Sequence, residues 1–404
     1  MAYSEQEPFV WLIAGEPSGD LIGGELIGAL MQRTEGRVRV EGVGGEWMAA
    51  NGLQSLFPIS DISVMGLVEI LPRISLIKRR IRDTVHQIKQ DEPDLVVSID
   101  VPGFSYDVWK GLRGTGIPLV HYVAPSVWAW RPYRAKKFAK ELTHLMTLLP
   151  FEAPYFEKEG LATTFVGHPV LSGEAGNGDG TSFRQDNCIG KNALVVCVLL
   201  GSRSGEIKRL ASVFREVAAN VVTNFPEAVF LFPVGSSVEE LVLKIANTWP
   251  GRKIVVAQNA KKFDAMAASD AAMAASGTVS LELAMARVPH VIAYRLNGLT
   301  VAIVRMLHGV NQKYVNLINI LLNRHVVPEF IQSRCRQNLI APSLLELINN
   351  PEARRRQMDE FNNALKLLLP DSGSPSNAAA DVVFSILTPR RKNFIDKELV
   401  DEPD

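Results

Sequence analysis

Two short apolar runs in the first half of the sequence end in polar side chains that could do chemistry. Asp100 ends the run Leu95–Ile99, where a carboxylate can accept a proton from a substrate hydroxyl. A helix cap or an ion-pair partner explains the same position equally well. Gly15–Asp20 follows the run Phe9–Ala14 but lacks the lysine of a P-loop and the spacing of a dinucleotide fingerprint. Its acidic residue, Glu16, suits sugar hydroxyls better than phosphate.

A third segment, His121–Arg131, is rich in large aromatic side chains. It contains two tryptophans, a tyrosine, a histidine and an arginine where a strand-to-helix connection is usually small and polar. We interpret the segment as the lining of a sugar or nucleotide cleft.

The second half of the sequence has its own candidates for binding a diphosphate. Ser276, Gly277 and Thr278 follow an alanine-rich run and precede a helical pattern, so they can turn backbone N–H groups toward an anion. Glu282, one turn later, can accept hydrogen bonds from ribose hydroxyls. Arg203 can neutralise a leaving diphosphate. The simpler interpretations are a well-capped helix with a solvated glutamate and a surface arginine.

The order of apolar runs and helical patterns predicts the scaffold for these residues. Short apolar strands alternate with helices in both halves, which indicates parallel sheets covered on both faces. We therefore predict an α/β fold of two Rossmann-like, doubly wound domains. The expected divisions are a domain at 1–170, a glycine-rich linker at 171–190, a second domain at 191–376, and a helix with a charged tail at 377–404.

Composition excludes several other classes of protein. The 404 residues contain 47% hydrophobic and 21% charged residues, as in a globular protein. Lys plus Arg and Asp plus Glu both total 43, which argues against a general nucleic-acid binder. The three cysteines, Cys188, Cys197 and Cys335, form neither a disulfide framework nor a zinc site. We expect no metal, no cofactor and a cytoplasmic location, since neither a signal peptide nor a membrane span is evident.

The region 64–83 is unusual because apolar residues lie close to a group of cations. The apolar residues are Val64, Met65, Leu67, Val68 and Leu71, and the cations are Lys78, Arg79 and Arg80. Apolar insertion beside cations suits an anionic membrane surface. A buried segment with a solvated basic edge is the alternative.

Taken together, these segments resemble the lipid-A-disaccharide synthases over residues 9–385. The matching segments are Ala14–Asp20, Val64–Glu69, Ile99–Phe104, His121–Arg131, Leu149–Glu152, Val166–Pro169, Gly201–Arg203, Ser269–Ala272 and Ala275–Thr278. The segment Ser126–Arg131 is the most specific of them, whereas the glycine motifs alone are weak.

The resemblance implies a GT-B fold, with two Rossmann-like domains facing across a cleft, and a defined reaction. The family transfers diacylglucosamine from UDP-2,3-diacylglucosamine to lipid X, which is 2,3-diacylglucosamine 1-phosphate, with inversion of the anomeric centre. Asp100 matches the family's candidate base, and Glu16 and Ser18 match the same half of the site. The donor side is implied at Arg203, Ser276, Gly277, Thr278, Glu282 and Asn319. Asn316 competes with Asn319, because the loop departs from the family pattern.

The resemblance also favours a peripheral protein of the inner-leaflet membrane surface, because both substrates carry acyl chains. A homodimer formed by exchange of the C-terminal helix is compatible with it. Two alternatives remain at this point: a related GT-B enzyme acting on UDP-N-acetylglucosamine, and a membrane-associated nucleotide-sugar binding protein.

Overall fold

The protein is described here from a computed structural model. The structure describes residues 7–63, 71–130, 133–257, 261–295 and 313–398, and only the backbone at 71, 129, 130 and 388–398. The chain divides into two compact units, the first made of Met1–Pro169 with Leu368–Asp404 and the second of Val170–Leu367.

The first unit is built on a sheet of six strands in the order β2-β1-β3-β4-β5-β6, with all neighbouring pairs parallel. Its strands are β1 (Phe9–Ala14), β2 (Arg39–Val43), β3 (Leu95–Ile99), β4 (Leu119–Tyr122), β5 (His144–Thr147) and β6 (Ala162–Phe165). The helices of its N-terminal part are α1 (Pro17–Thr34), α2 (Glu46–Ala50), α3 (Ile74–Asp91), α4 (Pro102–Gly111), α5 (Val127–Trp130), α6 (Arg134–Ala139) and α7 (Pro154–Glu157). Short 3₁₀ turns lie at Ile59–Asp61, Leu71–Arg73 and Pro169–Leu171.

The second unit repeats this architecture with the strand order β12-β11-β10-β7-β8-β9, again all parallel. Its strands are β7 (Val195–Leu199), β8 (Val229–Pro233), β9 (Arg252–Val256), β10 (Ala271–Ala275), β11 (His290–Tyr294) and β12 (Glu329–Ile331). Its helices are α8 (Gly180–Asp186), α9 (Ser204–Asn224), α10 (Glu239–Asn247), α11 (Lys262–Ala267), α12 (Val279–Met285), α13 (Leu317–Leu322), α14 (Gln337–Asn349) and α15 (Pro351–Lys366). Further 3₁₀ turns lie at Glu174–Gly176, Ser236–Val238 and Gln332–Arg334.

The last helix of the chain, α16 (Pro375–Glu398), returns to the first unit. Its alanines and Val383 are buried with Leu26 and Leu30 of α1, and Arg33 pairs with Asp381. The boundary of the second unit therefore falls at 367, a little before the expected 376.

The glycine-rich segment 171–190, which we expected to be a linker, is folded into the second unit. It contains a 3₁₀ turn and α8, whose first turn is capped by the Asp179 carboxylate. Phe183 and Ile189 are buried against Val195 and Val229 of the sheet. Two large apolar side chains therefore anchor this stretch despite its turn-forming composition.

Candidate active site

The strand order places the loops after β1 and β3 next to each other. In the first sheet β1 lies between β2 and β3. The strand order reverses there, because β2 lies on one side of β1 and β3 to β6 follow on the other side. Ligands of open parallel sheets bind at the carboxyl ends of the strands at such a switch point. Ser18 follows β1 and Asp100 follows β3, so both side chains lie at this edge.

Asp100 has the environment of a carboxylate with increased basicity. Its Oδ1 accepts a hydrogen bond of 2.9 Å from the Val101 N–H. Burial raises the pKa of Asp100 above its ordinary value, and hydrogen bonds from the Val101 N–H and the Ser18 hydroxyl offset part of that rise. The carboxylate is thus a stronger base than an exposed aspartate while its hydrogen bonds keep it oriented.

The turn that carries Asp100 is held in an unusual backbone conformation. Asp100 and Val101 have φ angles of 56° and 46°, in the left-handed region that a β-branched valine rarely adopts. The Asp100 N–H donates to the Tyr122 carbonyl oxygen, and the Ser105 hydroxyl donates to the Asp100 carbonyl oxygen. Helix α4 then begins at Pro102, which is preset for a first helical position.

The two acidic residues of the segment Gly15–Asp20 lie in different environments. Glu16 is the N-cap residue of α1 and is half-buried. Asp20 is buried, and its carboxylate accepts hydrogen bonds of 2.7–3.1 Å from the N–H groups of Gly45, Trp47 and Met48. Asp20, in the first turn of α1, therefore holds the start of α2 in place, and Glu16 remains the acidic candidate of this segment.

Two residues of the aromatic segment 121–131, His121 and Tyr122, lie in the core of the first unit. His121 is fully buried, and its Nδ1 lies 2.9 Å from the Ser98 hydroxyl, which also accepts from Trp109 Nε1 at 3.1 Å. Burial lowers the pKa of His121 to about 3, so the ring is neutral. Tyr122 is buried as well. Our interpretation was wrong for these two residues, because β4 is an inner strand covered on both faces.

Trp128, later in the same segment, is fixed by a buried glutamate. Its Nε1 donates to Glu152 Oε1 at 3.0 Å, and the other Glu152 oxygen accepts from the Leu149 N–H at 3.1 Å. Phe151 contacts the Trp128 ring edge-on, with 5.2 Å between centroids. Glu152 is only 3% exposed, and burial raises its pKa to about 7. The sequence analysis included Glu152 in a segment that resembles the family, Leu149–Glu152, but did not predict its contact with Trp128.

The second sheet has its switch point between β7 and β10. The strands β8 and β9 follow on the side of β7, and β11 and β12 follow on the side of β10. A cavity of about 320 Å³ opens there. It is lined by Leu199, Leu200, Gly201, Ser202, Glu206, Pro233, Val234, Gly235, Lys262, Ala275, Ser276, Gly277, Thr278, Val279 and Glu282. Four of our donor-side candidates, Ser276, Gly277, Thr278 and Glu282, thus share one cavity.

Arg203 lies at the edge of this group rather than among the lining residues. It is the N-cap residue of α9, and its side chain is 60% exposed. Its guanidinium lies 3.6 Å from the carboxylate of Glu206, which lines the cavity and also accepts from the Tyr294 hydroxyl at 3.4 Å. Glu206 therefore connects Arg203 to the cavity, a role that its sequence position did not reveal.

Glu282 is paired with a cation that sequence reasoning missed. Lys262 Nζ lies 2.8 Å from Glu282 Oε1 and 2.7 Å from Oε2. The two residues are 20 positions apart in the chain, so no local spacing could have indicated the pair.

Asn319 and Asn316 have structural contacts in the second unit. The Asn319 amide donates to the Val327 carbonyl and to Glu329, and its oxygen accepts from the N–H groups of Val326 and Val327. These four bonds use the capacity of the side chain, so the assignment of Asn319 to donor binding does not fit this arrangement. Asn316 caps α13 through its side-chain oxygen.

The apolar part of the 64–83 region falls outside the residues that the structure describes. Val64, Met65, Leu67 and Val68 belong to that undescribed stretch, and for Leu71 only the backbone is described. On α3, Ile88 is buried and Ile77, Ile81 and Val85 are partly buried against the core, whereas Ile74 is exposed.

Of the three cations, two are exposed and one is engaged within the unit. Lys78 and Arg79 are exposed on α3. Arg80 instead forms an ion pair of 2.7 Å with Asp61 and a longer one with Asp83. The helical turn directs Arg80 toward the 3₁₀ segment Ile59–Asp61, which argues against a lipid phosphate as its partner.

Two further properties concern only the described part of the chain. Within it, no group of three or more His, Cys, Asp or Glu side chains is arranged to hold a metal ion. Nor does any helix there have the length and apolar character needed to cross a bilayer.

Comparison with known proteins decides the family. A family model for lipid-A-disaccharide synthetase matches residues 10–382. The chain belongs to the lipid-A-disaccharide synthase family. A relative named lipid-A-disaccharide synthase in Rhodospirillum centenum is 46% identical over 94% of this chain and 95% of its own. One in Paramagnetospirillum magneticum is 44% identical over 94% and 97%. As a member of this family, the protein is a hexosyltransferase of lipid A biosynthesis.

A solved structure agrees with the fold. UDP-GlcNAc 2-epimerase from Neisseria meningitidis, bound to UDP-GlcNAc, is similar with a TM-score of 0.61 at 10% sequence identity, over 94% of this chain and 100% of that one. Two Rossmann-like units with parallel sheets are the architecture of GT-B glycosyltransferases and of such epimerases, so the expected fold class is confirmed.

Proposed function

We propose that the enzyme transfers 2,3-diacylglucosamine from UDP-2,3-diacylglucosamine to lipid X, with inversion and with Asp100 as the general base. The observation that carries this proposal is the position of the Asp100 carboxylate at the switch point of the first sheet, oriented by Ser18 and Val101 and made more basic by burial. Membership of the family supports the choice of substrates.

The chemistry requires one base and one direct displacement. The acceptor 6-hydroxyl loses its proton to the Asp100 carboxylate as its oxygen attacks the anomeric carbon. The bond to UDP breaks on the opposite face, so an α-linked donor gives a β(1→6) disaccharide 1-phosphate. A base with a raised pKa retains the proton better as the alkoxide forms, which is the property that burial gives Asp100. Glu16, at the start of α1, is the second acid of this site.

The cavity of the second unit is the proposed place of the UDP moiety. The backbone N–H groups of the turn at 276–278 suit the diphosphate, and Glu282 suits the ribose hydroxyls. Arg203, exposed beside Glu206, can reach the leaving diphosphate and stabilise its charge.

We further propose that the protein works as a peripheral protein on the cytoplasmic face of the inner membrane, since both substrates carry acyl chains. Val64, Met65, Leu67, Val68 and Leu71 are the proposed inserting residues. Lys78 and Arg79, which are exposed, are the proposed contacts to lipid phosphates. Flotation with anionic vesicles tests this, because Lys78→Glu with Arg79→Glu should release a folded protein; unchanged binding would contradict it.

The test of the reaction is a product assay in mixed detergent micelles. Purified protein receives UDP-2,3-diacylglucosamine and lipid X, and UDP and disaccharide are measured together. Equal amounts of both products are expected. UDP without disaccharide would point to a different acceptor. UDP binding without either product would favour a nucleotide-sugar binding protein, and turnover of UDP-N-acetylglucosamine instead would favour the related enzyme.

A further inference from the structure

We propose that Lys262 is a positioning residue of the donor cavity, holding Glu282 in the orientation that accepts a hydrogen bond from the donor's ribose. This inference rests on the proposed function of the cavity as the UDP site. Lys262 lies at the start of α11 and Glu282 in the first turns of α12, and both side chains line the same cavity.

The geometry of the pair restricts the carboxylate. Lys262 Nζ contacts both Glu282 oxygens, at 2.8 and 2.7 Å, so the carboxylate cannot rotate about its last bond without losing one contact. Each carboxylate oxygen has two acceptor positions. The lysine donates a hydrogen bond to Oε1, which leaves one acceptor position on Oε1 for a ligand, whereas Oε2 is buried without a hydrogen-bond partner among the described residues. The remaining position on Oε1 matches an O–H donor of a ribose.

The surroundings hold the ammonium group in place. The Lys262 side chain is 30% exposed and the Glu282 side chain 22% exposed, so solvent competes only partly for the pair. The Lys262 ammonium also lies 5.1 Å from the centre of the Phe263 ring. Both contacts favour one orientation of a long side chain that would otherwise be flexible.

Charge balance gives a second reason for a lysine at this place. Two carboxylates line the cavity, Glu206 and Glu282, and a diphosphate would add further negative charge. Glu206 lies beside Arg203, and Glu282 beside Lys262. Each carboxylate is thus offset by a cation, so Glu282 can serve the ribose without repelling the phosphates.

The experiment compares the binding of UDP and 2′-deoxy-UDP by calorimetry. A hydrogen bond to a charged group corresponds to about tenfold or more in affinity, so the wild type should prefer UDP by about that factor. Lys262→Met should reduce this preference to about twofold or less, mainly by weakening UDP. Glu282→Gln should do the same, and Lys262→Met added to Glu282→Gln should change the preference no further.

Lys261→Met is the matched control, because the neighbouring Lys261 ammonium pairs with the exposed Asp186 at 3.4 Å. It should keep the wild-type preference, and melting curves establish that all variants are folded. A wild type that binds neither nucleotide would refute the function of the cavity. A wild type with equal affinities, or a Lys262→Met variant with the full preference, would refute the role of Lys262 alone. If Lys262→Met lost affinity for both nucleotides by the same factor, Lys262 would contact the phosphates, and its role in positioning Glu282 would be refuted.

Discussion

Replacement of Glu152 by glutamine should change how the stability of the first unit depends on pH. Glu152 is almost completely buried, and burial raises its pKa from 4.5 to about 7 although Trp128 and backbone N–H groups donate to it. The native protein therefore binds this proton more tightly than the unfolded chain does. Glutamine has nearly the same shape but no proton to release.

The size of the effect follows from the two pKa values. The unfolded chain ionises Glu152 near pH 4.5 and the folded chain near pH 7, so ionisation of this residue lowers the free energy of unfolding as the pH rises between them. Between pH 5 and pH 8 the loss amounts to roughly 2.5 kcal/mol. Glutamine has only one oxygen, so one of the two hydrogen bonds from Trp128 and Leu149 is lost. This loss lowers the free energy of unfolding by about 1–2 kcal/mol at every pH.

Buried histidines act in the opposite direction, so the wild-type profile alone is not informative. Burial lowers the pKa of His121 to about 3 and that of His168 to about 4. Both rings are neutral in the folded protein, and their contribution to stability grows as the pH rises toward 6.5. The wild type and the Glu152→Gln variant share these residues, so the difference between their unfolding free energies isolates Glu152.

The assay is urea unfolding at pH 5, 6, 7 and 8, followed by tryptophan fluorescence. Five of the six tryptophans lie in the first unit, so the signal reports mainly on that unit. Relative to the wild type, the variant should gain roughly 2.5 kcal/mol between pH 5 and pH 8. Glu157→Gln, at an exposed site, is the control and should give a constant difference. Parallel pH curves for the wild type and Glu152→Gln would refute the reasoning.

Three further substitutions, one of them with a matched control, test the site and the scaffold. Asp100→Asn should lower turnover in the product assay by about 10²- to 10⁴-fold without changing UDP affinity, and near-normal activity would move the base to Glu16. Arg203→Ala should lower kcat/KM by about 10²- to 10³-fold, whereas an unchanged value would make it a surface residue. Gly42→Ala should prevent stable folding, because the new Cβ would lie 1.8 Å from a carbonyl oxygen of the neighbouring strand at a φ of 152°. Gly28→Ala, with its nearest contact at 3.5 Å, should melt within a few degrees of the wild type.

Much of the fold is predictable from the sequence because buried parallel strands are continuous apolar runs. The runs at Phe9–Ala14 and Leu95–Ile99 have the same bounds as β1 and β3. The stretch 171–190 was harder, because its five glycines suggested a linker although it also contains Phe183 and Ile189. The decisive property of those two residues is burial against the second sheet, which no local pattern reveals.

The positions of Asp100 and Ser276 directly after a strand were predictable, because each follows a continuous apolar run in the sequence. A role that depends on a distant partner was not predictable. Glu152 meets Trp128 across 24 residues, and Lys262 meets Glu282 across 20. His121 was misinterpreted because its residue type suggests ligand binding, whereas an inner strand places it in the core.

The turn at Asp100 also explains a glycine in a different part of the sequence. A Cβ at Gly15 would lie 2.5 Å from Cγ2 of Val101, which occupies that space because its own φ is 46°. A left-handed valine costs on the order of 1–3 kcal/mol and persists only when its surroundings define it. Here Gly15 and the Asp100 turn pack against each other. A larger residue at Gly15, or a change in the backbone angles of Val101, would therefore displace the other segment. The strain therefore lies in the turn that orients the Asp100 carboxylate beside Ser18, where our proposal places the base that takes the acceptor's proton and where a small displacement would slow the proposed reaction.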